Sequence, residues 1–287
     1  MGDRHRVPVR KTYKLYIGGE FPRSESGRSY PATDMRGEVV ARAARASRKD
    51  LRDAVKAARG AWKEWSGKTA YNRGQILYRV AELMEGRREQ FVEECGRAGS
   101  DDAAAEVDAA IDRWVWYAGW CDKVHHILGT VNPVAGPYFV FTLPDPTGVV
   151  GVVAAEEPPL LGLISRLAPV VVSGNTAVLL ASERWPLPAV TLSEVLATSD
   201  VPPGVINILT GHKTELIPWL AGHMDVNAID ATGVPEDLRS EVERLSADNV
   251  KRIARSRTED FLSAEAQSPY DITAFTEMKT VWHPMGA

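Results

Sequence analysis

Residues 148–153 (GVVGVV) and 176–180 (TAVLL) are unbroken runs of small, aliphatic and β-branched residues, 205–209 (VINIL) is a third interrupted only by Asn207, and the three are spaced far enough apart for a helix to fit between them. A strand that is apolar on both faces must be covered on both. A sheet achieves this when its strands run parallel and the connections cross over it as helices. Residues 160–172 and 188–198 read as such helices, 214–222 as a shorter one and 227–230 as a fourth strand. The segment 148–233 therefore predicts an α/β fold built on a parallel sheet with crossover helices.

The flanking sequence has a different style. Residues 13–19 (YKLYIGG) alternate and end in Gly-Gly, which predicts a strand and a turn, with the segment after Glu20 as its hairpin partner. Residues 24–36 are polar and turn-rich, and 39–46 suit a strand or a helix. Ser47 is a helix N-cap with Asp50 in the first turn, followed by Leu51, Val55, Ala58 and Trp62 at helical spacing. Thr69 caps a second helix bearing Ile76, Leu77, Val80 and Leu83. Helical character continues through 89–95 and 101–128, where Trp114, Trp116, Tyr117 and Trp120 form a stripe suited to helix packing. Residues 129–144 predict a projecting two-stranded hairpin, 235–257 a helix with Leu238, Val242 and Leu245 on one face, 256–271 a loose linker and 272–282 a last strand.

Composition narrows the function classes. The 287 residues carry a net charge of −4, so nothing points to nucleic acid as a partner. The basic residues Arg42, Arg45, Arg48, Lys49 and Arg52 are interleaved with acidic ones and read as a solvated helix face. Residues 1–14 lack an apolar leader core and no run of about 18 apolar residues occurs, so we expect a chain of the reducing cytoplasm with no membrane partner. Cys95 and Cys121 are too few for a zinc site or disulfide framework and read as inert buried thiols. Neighbouring His125 and His126 would point about 100° apart on a helix, so no metal site is expected.

Several stretches, taken in order, resemble the aldehyde dehydrogenase superfamily. They are Tyr16 to Phe21 (YIGGEF), the run from Pro146 to Val153, and Ala168-Pro169 with Ser173-Gly174-Asn175-Thr176. Ser182-Glu183 follow, then Val201-Pro202-Pro203-Gly204 with Asn207 and Thr210-Gly211. Asp225-Val226, Thr232-Gly233 and the tail Met278 to Trp282 complete the set. The resemblance spans roughly residues 13–250 and 270–283. It implies a Rossmann-like nucleotide-binding domain over 1–128 and 145–257, and an oligomerisation arm over 129–144 and 270–287. Residues 258–269 would be a linker where that family has its catalytic domain.

The departures concern chemistry. After the first strand the family has Pro-Trp-Asn, whose asparagine donates to the oxyanion; this chain has Ala155-Glu156-Glu157, and a carboxylate there repels a developing alkoxide. Leu180 stands where the family grips the adenosine ribose with a lysine, and Val234 where it has a serine near the pyrophosphate. No counterpart of the family's glutamate base or its cysteine nucleophile is present, so no catalytic residue is assigned. The degenerate cofactor edge would comprise Glu156, Glu157, Leu180, Ser182, Glu183, Gly211, Gly233 and Val234. Glu156 and Glu157 are expected at the start of the helix after the first strand, complementing its N-terminus and excluding an anionic dinucleotide.

In dimers of that family the arm extends the neighbour's catalytic-domain sheet. A copy of this chain offers no such sheet, so Tyr138, Val140, Phe141, Val281 and Trp282 are expected to form an interface with a full-length aldehyde dehydrogenase. The resemblance thus implies a non-catalytic subunit without its own cofactor, with NAD(P) bound in the partner. Two alternatives stay open: an NAD-binding or residually active oxidoreductase, and a self-assembling structural homo-oligomer.

Overall fold

In a computed structural model, residues 9–286 are described. The expectation of no apolar leader over 1–14 therefore lies, for its first eight residues, outside the described residues. Among those described, no helix is long and apolar enough to cross a membrane.

The chain begins with β1 (Thr12–Tyr13), β2 (Ser29–Thr33) and β3 (Val39–Ala44), a small sheet in the order β1-β3-β2. β2 lies in the stretch that reads as turn; its alternation is hidden by Pro31 and by the neighbouring turn at Asp34–Gly37. The Gly-Gly hairpin is shorter than its sequence suggests. Gly18 and Gly19 both have positive φ, and Ile17 and Glu20 exchange backbone hydrogen bonds across them. Tyr16 then exchanges both backbone bonds with Ile208, so the strand leaves its own hairpin for the edge of the main sheet.

Four helices and a short fifth follow: α1 (Arg48–Gly67), α2 (Ala70–Glu85), α3 (Arg88–Arg97), α4 (Ala103–Ala118) and α5 (Val124–Leu128). Ser47 and Asp50 close a capping box at α1, and Thr69 caps α2. The helical stretch 101–128 is broken at 119–123, between α4 and α5.

The main sheet contains β6 (Val149–Val153), β7 (Thr176–Leu180), β8 (Ile206–Leu209), β9 (Ala228–Asp230) and β10 (Arg252–Ala254), all parallel, in the order β10-β9-β6-β7-β8. The connecting helices are α6 (Leu161–Val172), α7 (Leu187–Thr198), α8 (Lys213–Ala221) and α9 (Glu236–Ala247). Numbered by sequence, the strand order is 5-4-1-2-3, the doubly wound arrangement whose crevice opens between the first and fourth strands. Alternate residues of β6 serve opposite cores. Val150 and Val152 join the core formed with α2, α4, α6 and α7, and Val149 and Val153 join α1, α8 and α9. A Cβ at Gly151 would stand 2.9 Å from Leu220, so glycine there lets α8 lie against the sheet.

Two expectations need correction near residue 250. The helix ends at Ala247 rather than near Arg257. The chain reverses at Val250, whose φ is +56°, and Arg252–Ala254 pairs with β9 as a fifth strand. The stretch 256–271 is not loose either. Phe261 and Ala266 are buried, and it contains most of α10 (Pro269–Thr273). The buried Arg113 donates to the carbonyls of Phe261 (2.8 Å) and Ala266 (2.6 Å) and to Ser165 Oγ.

The arm consists of β4 (Thr130–Asn132), β5 (Tyr138–Pro146) and β11 (Thr276–Pro284), in the order β11-β5-β4. The last strand starts at Thr276 rather than 272, because α10 occupies the residues before it. β5 and β11 pair antiparallel over nine residues, from Thr276 opposite Pro146 to Pro284 opposite Tyr138. Arg252 ties the arm to the sheet by donating to the carbonyl of Thr276 and to Glu277.

Candidate functional site

In open parallel sheets, ligands lie outside the carboxyl ends of the strands. Here those ends carry Ala154 to Glu157 after β6, Ala181 to Trp185 after β7, Thr210 to Lys213 after β8 and Ala231 to Val234 after β9. The sequence-predicted residues Glu156, Ser182, Glu183 and Gly211 come together, but their carboxylates face one another's loops.

Glu156 turns toward the loop after β7. It accepts from Ser182 Oγ (2.7 Å) and from the backbone amides of Glu183 (3.3 Å) and Arg184 (3.0 Å). Its main partner is Lys213, which no sequence pattern singled out. Lys213 opens α8 after the third strand and reaches across the end of β7. Its ammonium donates to the carbonyl of Ala154 (2.6 Å) and pairs with Glu156. The Lys213 side chain is 4% exposed. Burial lowers its pKa and the Glu156 charge opposes that shift. For Glu156, burial favours the neutral acid. The Lys213 charge, with hydrogen bonds from Lys213, Arg184 and Ser182, outweighs it and holds the carboxyl below its ordinary range.

Glu183 caps α8, accepting from the amide of Lys213 (2.8 Å) and lying 2.6 Å from His212 Nδ1. Behind this pair Tyr30 is buried with its ring 5.5 Å from that of His212. Burial, with Glu183 and Glu156 adding to it, pushes the Tyr30 hydroxyl far above its usual pKa. Glu157 points outward and pairs with Arg184 at 2.8 Å. Leu180 is buried in the core beneath β7's end.

Neither Glu156 nor Glu157 complements the start of α6, and that expectation is corrected. Glu106 of α4 does so instead: its Oε1 accepts from the amides of Leu160 (3.0 Å) and Leu161 (3.3 Å), and the residue is 3% exposed. The sequence signal for Glu106 was a lone acid inside an apolar helix face, which needs a buried partner.

On the other side of the crevice, Gly233 donates its amide to the carbonyl of Val153, and a Cβ there would lie 1.8 Å from the carbonyl oxygen of Ala154. Val234 is buried. A cavity of about 440 Å³ remains beyond it, bordered by Thr232, Arg239, Arg255, Ser256, Glu157 and Phe261. Arg239 pairs with Glu236 and Arg255 with Glu243.

A dinucleotide at this edge needs a donor for its ribose and a helix N-terminus for its pyrophosphate. Leu180 supplies no donor, Ser182 gives its proton to Glu156, both oxygens of Glu183 are engaged, and Glu106 fills the start of α6. Around the ends of β6, β7 and β8 the groups that a dinucleotide needs are therefore already engaged. Cys95 and Cys121 are both buried free thiols. Burial pushes the Cys121 thiol up to about 12 and Cys95 higher still, so neither forms a thiolate at neutral pH. Among the described residues no group of three His, Cys, Asp or Glu side chains is placed to hold a metal ion.

In the arm, Tyr138 and Trp282 meet edge to face at 5.8 Å, with Trp282 58% exposed, and Val281, which alternation sends to the opposite face of β11, is also open. Phe141 is half-buried. Val140 is corrected: at 2% exposure it lies on the inward face, because alternation along β5 turns Val140 and Thr142 away from solvent.

The aldehyde dehydrogenase family model matches residues 23–255. Aldehyde dehydrogenase family 2 member B4 of Arabidopsis thaliana is 37% identical over 227 residues, covering 77% of this chain and 42% of that protein. Among solved structures, HpcC of Thermus thermophilus superposes with a TM-score of 0.81 at 32% identity, covering 85% of this chain and 48% of that one. The NAD+ complex of the Bacillus cereus aldehyde dehydrogenase gives 0.78 at 25% identity, covering 85% and 50%. The chain spans about half the length of the curated relatives it matches.

Proposed function

Because this chain belongs to the aldehyde dehydrogenase family, we propose that it is a non-catalytic subunit that assembles with a full-length NAD(P)-dependent aldehyde dehydrogenase and stabilises or regulates it. The observation that carries this reading is the contrast between a complete arm and a chemically empty centre. β11 is exposed over eight of its nine residues and forms the outer strand of the arm. A long exposed edge with Val281 and Trp282 on it favours strand addition to another sheet. Between β10 and β11 lies only the packed stretch 255–275, and both thiols are protonated and buried. In this reading the chain holds no cofactor of its own, NAD(P) sits in the partner, and Tyr138, Phe141, Val281 and Trp282 contact it. The two free thiols suit a reducing cytoplasm.

A tagged copy purified from its native host, with native mass spectrometry of the eluate, tests this. A full-length aldehyde dehydrogenase at fixed stoichiometry is the expected outcome. A monodisperse monomer, or a homo-oligomer of this chain alone, overturns it.

A further inference from the structure

We propose that Lys213 is an internal occupant of the sheet's carboxyl edge: with Glu156 it forms a latch across the ends of β6, β7 and β8 that takes the place of a nucleotide. The proposal rests on the reading that this chain holds no cofactor, and supplies its physical cause.

Three observations converge on it. The first is position. Lys213 begins the helix after the third strand, yet its ammonium binds the Ala154 carbonyl and Glu156 after the first. Its stem therefore spans the end of β7, where Leu180 leaves no polar group of its own. A ribose and phosphates lying across those strand ends need the same volume. The second is saturation. Lys213 anchors Glu156, Glu156 gathers Ser182 and the amides of Glu183 and Arg184, and Glu183 returns to cap the amide of Lys213. The ring of contacts closes on itself and joins the loops after β6, β7 and β8. The third is burial. A lysine side chain at 4% exposure, its ammonium paired with a carboxylate, is a fixed part of the edge rather than a side chain that swings aside.

The latch differs from exclusion by acidic charge alone, because Glu156 is neutralised by its partner. What keeps a nucleotide out is occupied space and spent hydrogen bonds, so removing both members should open the edge even though Leu180 is unchanged.

Isothermal titration calorimetry with NAD, on the full chain, separates the possibilities. The wild type is expected to show no saturation at millimolar NAD, and the double variant Lys213→Ala, Glu156→Gln to bind at least about tenfold more tightly. Circular dichroism and a cooperative melt establish that the variant is folded. If the double variant does not fold, Lys213→Ala alone replaces it and is read in the same way. A folded variant that binds no better than wild type overturns the latch while leaving the cofactor-free reading standing. Micromolar binding by wild type, weakened by Lys213→Ala, overturns both, because the lysine is then a ligand to the nucleotide.

Discussion

The carboxyl edge of the parallel sheet and the outer strand of the arm are opposites. At the edge, charged groups answer one another: Glu156 with Lys213, Glu183 with the start of α8, Glu106 with the start of α6. On the arm, β11 presents a row of exposed side chains and an unpaired backbone edge with no partner among the described residues. One region has turned its binding capacity inward and the other has kept it outward. On the proposed reading, a protein built this way binds another chain rather than a small molecule.

The largest test of this contrast is at Arg166, which joins the two regions. It is 2% exposed and pairs with Asp230 at the end of β9 (2.7 Å) and Asp271 of α10 (3.1 Å), just before the arm strand. Arg166→Ala removes the buried cation from between two buried carboxylates. It should cost about 3–5 kcal/mol in chemical denaturation, with the arm root loosening first in hydrogen exchange. Uniform loosening, or a loss under about 1 kcal/mol, would mean that edge and arm are not coupled through this residue.

A middle-sized effect is expected at Glu94, which belongs to neither region. Burial pushes its carboxyl up to about 7 despite hydrogen bonds from Thr191 and Gln90. A folded pKa above the unfolded value means that its contribution is fully present below about pH 4.5 and is lost as pH rises through 7. Glu94→Gln should therefore be more stable than wild type at pH 8, by about 1–3 kcal/mol, with the gain fading toward pH 5. Thermal melts across that range check it. Partner capture should be unchanged, which isolates the arm from general stability.

The smallest effect on folding is expected at Val281→Lys, on the open strand. Its denaturation midpoint should move by less than about 0.5 kcal/mol. Partner capture in the pull-down should be lost, because a charge on the edge strand disfavours strand addition. A variant that still captures the partner in full would place the contact elsewhere on the molecule.

The two regions also differed in legibility. The parallel sheet could be read from runs such as GVVGVV, because a strand buried on both faces can be little else. β10 escaped because Arg252-Ile253-Ala254 is three residues long, half-buried and flanked by charge, so its pairing with β9 is visible only in three dimensions. Most of the nominated residues lie at the strand ends. What the sequence hid was their answering groups, Lys213 and Glu106, which no motif marks. A charge takes its meaning from what it faces, and here the facing group is 57 residues away in one case (Glu156 to Lys213) and more than 50 in the other (Glu106 to Leu160). Val140 was missed for a simpler reason: strand alternation gives two faces, but not which one looks inward.

The chain leaves the parallel sheet at Ala254 and enters the arm at Thr276, and Arg252 holds those two points together through the Thr276 carbonyl and Glu277. The two ends of the stretch between them are thus fixed side by side. Closing a loop across fixed, neighbouring ends becomes only slowly more costly as the loop lengthens. A longer excursion can therefore leave and return at the same two points, provided that it still answers Arg113 and Arg166, which here bind Phe261, Ala266 and Asp271.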